Sequence, residues 1–173
     1  MALDDLLAEH AQRAEKALGM GGPEKLARRR HSGILNARER LEHLLDAGQW
    51  FESGLFVTSN RPEVAEKTPA DGKLAGFGRI DGRPAAVIAN DFTVMGASSS
   101  VVNGKKIRHV KETATRRGMP LVFLGESSGA RMPDRMGATG RASFGQDRYE
   151  YRRLRETPWV SANLGVCYGS STW

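Results

Sequence analysis

The stretch Leu121-Val-Phe-Leu-Gly-Glu-Ser-Ser-Gly-Ala-Arg131 is an apolar run that stops abruptly in small residues and an arginine. Entered through Gly118-Met-Pro120, its first half has the length and punctuation of a buried parallel strand. Its second half carries side chains too small to cover the backbone, so N–H groups there are free to face a ligand. An oxyanion hole is built in this way.

The flanking pattern sets this strand in an α/β architecture. Leu74 to Ile80 and Pro84 to Asn90 read as strands joined at Asp81-Gly82-Arg83, a hairpin signal because Asp-Gly tolerates positive φ. A helix to about Arg117 follows, with Val102, Lys106, His109 or Val110, and Thr113 or Ala114 near one face. The strand Met119 to Gly125 comes next, then a helix from Arg148 to Thr157 and a strand from Pro158 to Gly165. Strands alternating with helices imply βαβ units and a mainly parallel sheet covered on both faces. The turns at Ser127 to Ala130 and Gly169 to Ser171 then fall at the carboxyl ends of neighbouring strands, where such sheets bind ligands.

Upstream, Leu3, Leu6, Leu7, His10, Ala14, Ala17 and Leu18 recur at helical spacing until Gly19-Met-Gly-Gly-Pro23 breaks the pattern. A second amphipathic helix is expected from the N-cap Asn36, with Glu39 completing a capping box and Gly48 as its stop. Residues 1–50 are read as a peripheral helical arm, Ser59 to Gly72 as a polar loop, and residues 51–173 as the main lobe.

Composition narrows the function classes. Apolar residues at 39% and charged residues at 27% are ordinary for a soluble domain of 173 residues. The acidic N-terminus lacks the basic and apolar regions of a signal peptide, no stretch is apolar enough to span a membrane, and the chain is expected to be cytoplasmic. The single cysteine, Cys167, forbids an internal disulfide, and His10, His31, His43 and His109 show no metal-ligand spacing, so no metal is expected. The net charge of +6 suits an anionic partner, yet apart from Arg28-Arg-Arg30 the basic residues alternate with acidic ones. That alternation describes solvated helix faces rather than a nucleic-acid footprint, and it is compatible with a phosphate-bearing ligand such as coenzyme A.

Gly125-Glu-Ser-Ser-Gly129 also fits G-x-S-x-G, the nucleophile elbow of serine hydrolases. Two features count against it. No histidine follows Ser127, and Met132-Pro133 interrupts the helix that an elbow should start. A plain turn without chemistry fits the same spacing.

Four ordered stretches go further: Ala37-Arg-Glu-Arg-Leu-Glu-His-Leu-Leu-Asp46, Asp91-Phe-Thr-Val-Met-Gly-Ala-Ser98, Glu126-Ser-Ser-Gly-Ala-Arg131 and Gly165-Val-Cys-Tyr-Gly-Ser170. Together they resemble the carboxyltransferase subunits, β type, of biotin-dependent acyl-CoA carboxylases, the propionyl-CoA and acetyl-CoA carboxylase family, from about residue 30 to the end. The chain departs from the family pattern at Glu126 and Ser128, where Asp and Gly are usual, at Ser170, and at Ala97, all three of the latter replacing a glycine.

The resemblance implies a crotonase-like lobe of ββαβαβ units behind the helical arm. It implies transfer of a carboxyl group from carboxybiotin to the α-carbon of an acyl-CoA through a thioester enolate. Carboxybiotin would arrive on a biotin carboxylase or biotin carrier partner, the subunit would be a homo-oligomer, and neither nucleic acid nor membrane would be a partner. In that light the oxyanion donors are the amides of Gly129 or Ala130 in the first turn and of Gly169 or Ser170 in the second. Ala97 and Ser98 fall on the substrate side. Lys106, matching a lysine of the family's helix, is a candidate for coenzyme A phosphates with Lys105 and Arg108. Arg131 is grouped with them, although hydrogen bonds that tie the turn to the fold suit it better than substrate contact. The family builds its site from two lobes and this sequence ends within the first, so a fragment, a truncated product and a split subunit are all compatible. A catalytically inactive coenzyme A-binding or assembly module stands as the alternative.

Overall fold

The computed structural model describes residues 3–138 and 158–167, without the side chains of residues 135 and 163–167. Its helices are α1 (Leu3–Leu18), α2 (Pro23–His31), α3 (Ala37–Leu44), α4 (Pro62–Ala65), α5 (Val101–Arg117) and α6 (Met132–Arg135). Its strands are β1 (Trp50–Glu52), β2 (Lys73–Ile80), β3 (Arg83–Asn90), β4 (Leu121–Ser127) and β5 (Trp159–Cys167). These strands form one sheet in the order β1-β2-β3-β4-β5. The expected helix over 148–157 lies outside the described residues.

The sheet is mixed rather than mainly parallel: β1, β2 and β3 pair antiparallel, and β3, β4 and β5 pair parallel. The reason is local. Asp81 and Gly82 both sit at positive φ, 50° and 73°, the geometry that closes a two-residue hairpin and forces β3 to run back along β2. From β3 onward the 17-residue α5 returns the chain to the other end of the sheet, so the next strand must be parallel.

Alternate residues of β3 and β4 feed two cores. Ala86, Ile88, Leu121 and Phe123 pack with Val110 and Ala114 of α5 on one face. Val87, Ala89 and Leu124 pack with Ala37, Leu41 and Leu45 on the other. On α5 the inward row is Asn103, Lys106, Val110 and Ala114, while His109 is exposed.

In the first 50 residues α1 buries Ala17 near its end and α2 sets Leu26 against the core, whereas α3 is part of the core. Its capping box is formed: Asn36 Oδ1 accepts from the amides of Arg38 and Glu39, and Glu39 Oε2 accepts from the Asn36 amide at 2.8 Å. The helix stops at Leu44, four residues before the expected Gly48. Leu45 turns extended there because Asp46 docks on the hairpin: its amide donates to Arg79 O, and its carboxylate accepts from the amides of Asp81 and Gly82 at 3.0 and 2.8 Å. Apolar periodicity also missed α2, whose Pro-Glu-Lys-Leu-Ala-Arg-Arg-Arg-His sequence has almost no apolar face. Gly22 at φ 95° followed by Pro23 at the first helical position starts it. No helix among the described residues is long and apolar enough to cross a membrane.

Candidate active site

The carboxyl ends of β3, β4 and β5 lie at one edge of the sheet, and the chain leaves β4 there in the turn Ser127 to Arg131. A one-residue parallel bridge between Ser99 and Ala130 joins that turn to the segment following β3. Ser99 N donates to Gly129 O at 2.8 Å and Arg131 N to Ser99 O at 2.9 Å. Ser128 N donates to Gly96 O at 2.8 Å, so the two segments are stitched by three backbone hydrogen bonds.

Within the turn the two candidate amides differ. Gly129 N is spent on Ser127 Oγ at 3.0 Å. Ala130 N, on an exposed residue, has no hydrogen-bond partner among the described residues. Ser127 itself is buried, its hydroxyl facing Ala97 O at 3.3 Å, and no described histidine bonds to it. A buried hydroxyl without a base is a turn brace; the elbow chemistry of G-x-S-x-G needs the opposite, an exposed hydroxyl on a histidine.

Beneath the turn lies a buried polar knot. Arg131 Nη1 bonds Asp71 Oδ1 at 2.6 Å, its Nε reaches Ser98 Oγ at 3.3 Å, and both ionic partners are all but inaccessible to solvent. Asp71 also receives the Ser100 hydroxyl and the Asn103 amide, while Asn103 Nδ2 spans Asp71 O and Ser98 O. Three segments distant in sequence, around residues 71, 98–103 and 131, therefore meet at one carboxylate. Arg131 thus ties the turn down, and Ser98 is one of its anchors. Ala97 is buried with its carbonyl directed at Lys73 Nζ, 2.7 Å away.

Lys106 faces inward. Its ammonium contacts the carbonyls of Gly54 and Lys73 and lies 3.6 Å from Glu52 Oε1, with burial pushing it down to about 8 against the favourable charge of Glu52. Lys105 is exposed and Arg108 half-buried on the same helix. Gly169 and Ser170 lie outside the described residues; the strand before them ends with Cys167 paired to Ser127.

Sequence reasoning did not single out Lys73, Asp71, Asn103 or the partners of Glu126. The Glu126 carboxylate, buried at the end of β4, accepts two hydrogen bonds from Arg29 of α2, at 2.9 and 2.7 Å, and one from Arg40 of α3 at 2.7 Å. Its signal in the sequence was the charge inside an otherwise apolar strand, which demands a partner. Lys73 carried the same signal at the head of β2. Asp91, also buried, has its carboxyl raised by that burial while the Thr93 hydroxyl and amide oppose the shift.

Residues 28–171 match the model of the carboxyl transferase domain. The chain belongs to this family. Among curated carboxyl transferase relatives, the propionyl-CoA carboxylase carboxyltransferase subunit of Haloferax mediterranei is 34% identical over 180 residues, covering 100% of this chain and 34% of the relative. The methylmalonyl-CoA decarboxylase subunit alpha of Veillonella parvula is 33% identical, covering 88% of this chain and 31% of the relative. The chain spans about a third of the length of the curated relatives it matches. Among solved structures, transcarboxylase 12S, a hexamer with hydrolysed methylmalonyl-coenzyme A bound, superposes with a TM-score of 0.87 at 29% identity, covering 98% of this chain and 34% of that one. The architecture is accordingly the crotonase-like α/β fold of carboxyl transferase domains.

Proposed function

We propose that this chain provides the acyl-CoA side of a carboxyltransferase site, in which the Ala130 amide, with Gly129 beside it, faces the thioester oxygen of the substrate. The observation that carries the reading is the Ala130 N–H, on an exposed residue and without a hydrogen-bond partner among the described residues, on a turn clamped by the Ser99 bridge and the Arg131–Asp71 pair. When the acyl-CoA α-carbon gives its proton to the carboxyl donor, whose own bond to the carboxyl group has broken, and then bonds the released carboxyl carbon, negative charge passes through the thioester oxygen. A fixed amide aimed at that oxygen stabilises the charge by about 3 kcal/mol per donor, because no reorganisation is needed at the moment of reaction. Gly169 or Ser170, in the stretch of sequence after the strand paired with β4, would furnish the second donor.

No side-chain nucleophile is required, which agrees with the inward Ser127 hydroxyl. Biotin, carried as carboxybiotin on a biotin carboxylase or carrier partner, supplies the carboxyl group. The residues of this chain orient the acyl-CoA and receive its charge. Lys106, from within, supports the β2 end of the site, and Lys105 and Arg108 on the outer side of α5 are the cations proposed for the coenzyme A phosphates. The oligomeric state proposed is a homo-oligomer in the cytoplasm, in keeping with the hexameric neighbour.

Titration of the 15N-labelled chain with propionyl-CoA tests this reading. The amide signals of Gly129 and Ala130 should move most, and coenzyme A alone should move them less. Saturable shifts confined to other segments would refute it, and binding without carboxyl transfer when the biotin-bearing partner is supplied would favour the inactive binding module.

A further inference from the structure

Ala97 O is held by two buried side chains, the Lys73 ammonium at 2.7 Å and the Ser127 hydroxyl at 3.3 Å. The turn that carries this carbonyl is strained: Met95, Gly96 and Ala97 have successive φ values of 47°, 62° and 51°. Left-handed conformations at non-glycine residues persist only where the surroundings over-determine them. Here Val94 O receives the Ala97 amide, Met95 O receives the Ser98 amide and hydroxyl, and Gly96 O receives the Ser128 amide. Of the bonds to the carbonyls of Met95, Gly96 and Ala97 among the described residues, the one from Lys73 of β2 carries a charge.

We propose that Lys73 is a positioning residue, whose side chain sets the Met95–Ala97 turn against the Ser127–Arg131 turn and thereby fixes the direction of the Ala130 amide. This rests on the acyl-CoA reading above. The chain of contacts is continuous: Lys73 holds Ala97 O, Gly96 O holds Ser128 N, Ser99 bridges Gly129 and Arg131, and Ala130 lies between them.

A lysine is an expensive way to hold a carbonyl, which points to a need for charge. Burial pushes Lys73 down to about 7, with Asp71 and Asp91 favouring its charged form and Arg131 opposing it. These groups come from the turn before β2, the segment after β3 and the turn after β4, and from α5 the Lys106 ammonium bonds the Lys73 carbonyl. Asn90, its cross-strand partner, makes no hydrogen bond to the ammonium. A protonated amine makes the shorter, stronger bond to Ala97 O, and a neutral one loosens it.

The test is a pH series of 15N spectra on the 173-residue chain and on Lys73→Arg and Lys73→Met. In the wild type the amides of Gly96 to Ser99 and Ser128 to Ala130 should titrate together with a midpoint near 7. In Lys73→Arg, permanently charged, and in Lys73→Met, uncharged, that midpoint should vanish. Propionyl-CoA affinity of the wild type should fall about tenfold across the same midpoint and stay flat in Lys73→Arg, the difference between a charged and a neutral donor. Absence of a common midpoint in the wild type overturns the proposal without recourse to any variant, as does its survival in Lys73→Arg. Turn amides that titrate as described in a chain that ignores propionyl-CoA at every pH would sustain the role of Lys73 in setting the turn and refute the acyl-CoA reading instead.

Discussion

Replacing Arg131 by methionine removes the guanidinium from a pair in which neither side chain sees solvent, 2% exposed for Arg131 and 0% for Asp71. Breaking such a pair by deleting one partner costs about 3–5 kcal/mol, because the remaining charge stays buried and uncompensated. The lower end applies here. Asp71 keeps the Ser100 hydroxyl and the Asn103 amide, so Arg131→Met should destabilise the chain by about 3 kcal/mol. Asp71→Asn preserves the backbone, since asparagine tolerates the φ of 45° at this position, but among the described carboxylates it leaves the guanidinium Asp134 at 4.0 Å. It too should cost about 3 kcal/mol. The double variant leaves no orphaned charge, so its loss should be smaller than the two single losses combined by about 2 kcal/mol. Urea unfolding followed by far-ultraviolet circular dichroism, with the slope on denaturant checked for constancy, measures all four chains. Additivity of the two substitutions within about 0.5 kcal/mol would refute the argument that this pair is what pins the turn.

Lys73 and Lys106, with folded pKa values pushed down to about 7 and about 8 from 10.5, are protonated in the unfolded chain over a range where the folded chain has released the proton. Stability should therefore rise with pH above about 7, and Lys73→Met should remove its share of that rise, at most roughly 5 kcal/mol by pH 10.5, as seen in unfolding midpoints across the window. Glu126→Gln withdraws the charge that faces Arg29 and should free α2 from β4, lowering stability by about 3 kcal/mol and accelerating tryptic cleavage at Arg28 to Arg30; an unchanged cleavage rate would contradict this. Gly96→Ala places a Cβ 2.4 Å from Ser128 Oγ at a φ of 62°, for a loss of about 2 kcal/mol, and adding Ser128→Gly should restore the steric part while leaving the backbone strain; calorimetric melting of the two variants beside the wild type separates the two.

Much of the candidate site was legible in the chain because its parts are local. The β4 turn, the Asp-Gly hairpin and the capping box at Asn36 each lie within a few residues, and their geometry follows from φ preferences and short-range hydrogen bonding. The helix α5 was legible in its inward face as well, although Lys106 was read as reaching for a ligand and the structure folds its ammonium onto backbone carbonyls. The polar stretch before β2 looked like a loop. It holds Asp71, whose role depends on an arginine 60 residues away.

That contrast marks the boundary between the two sources of information. The sequence alone determined the hairpin of β2 and β3, the strand β4 and the helix α5, the α/β class and the place of the small-residue turn, since each depends on neighbours along the chain. Only the tertiary structure decided that Glu126 meets Arg29 across 97 residues, that Asp71 anchors Arg131, that Lys73 holds Ala97 O, and that Ala130 rather than Gly129 keeps an amide unspent among the described residues. Charge patterning shows that a buried ion needs a partner but not which one; the pairing is fixed when the sheet order brings distant segments to the same edge, where leaving either charge alone costs more than any local preference can offset.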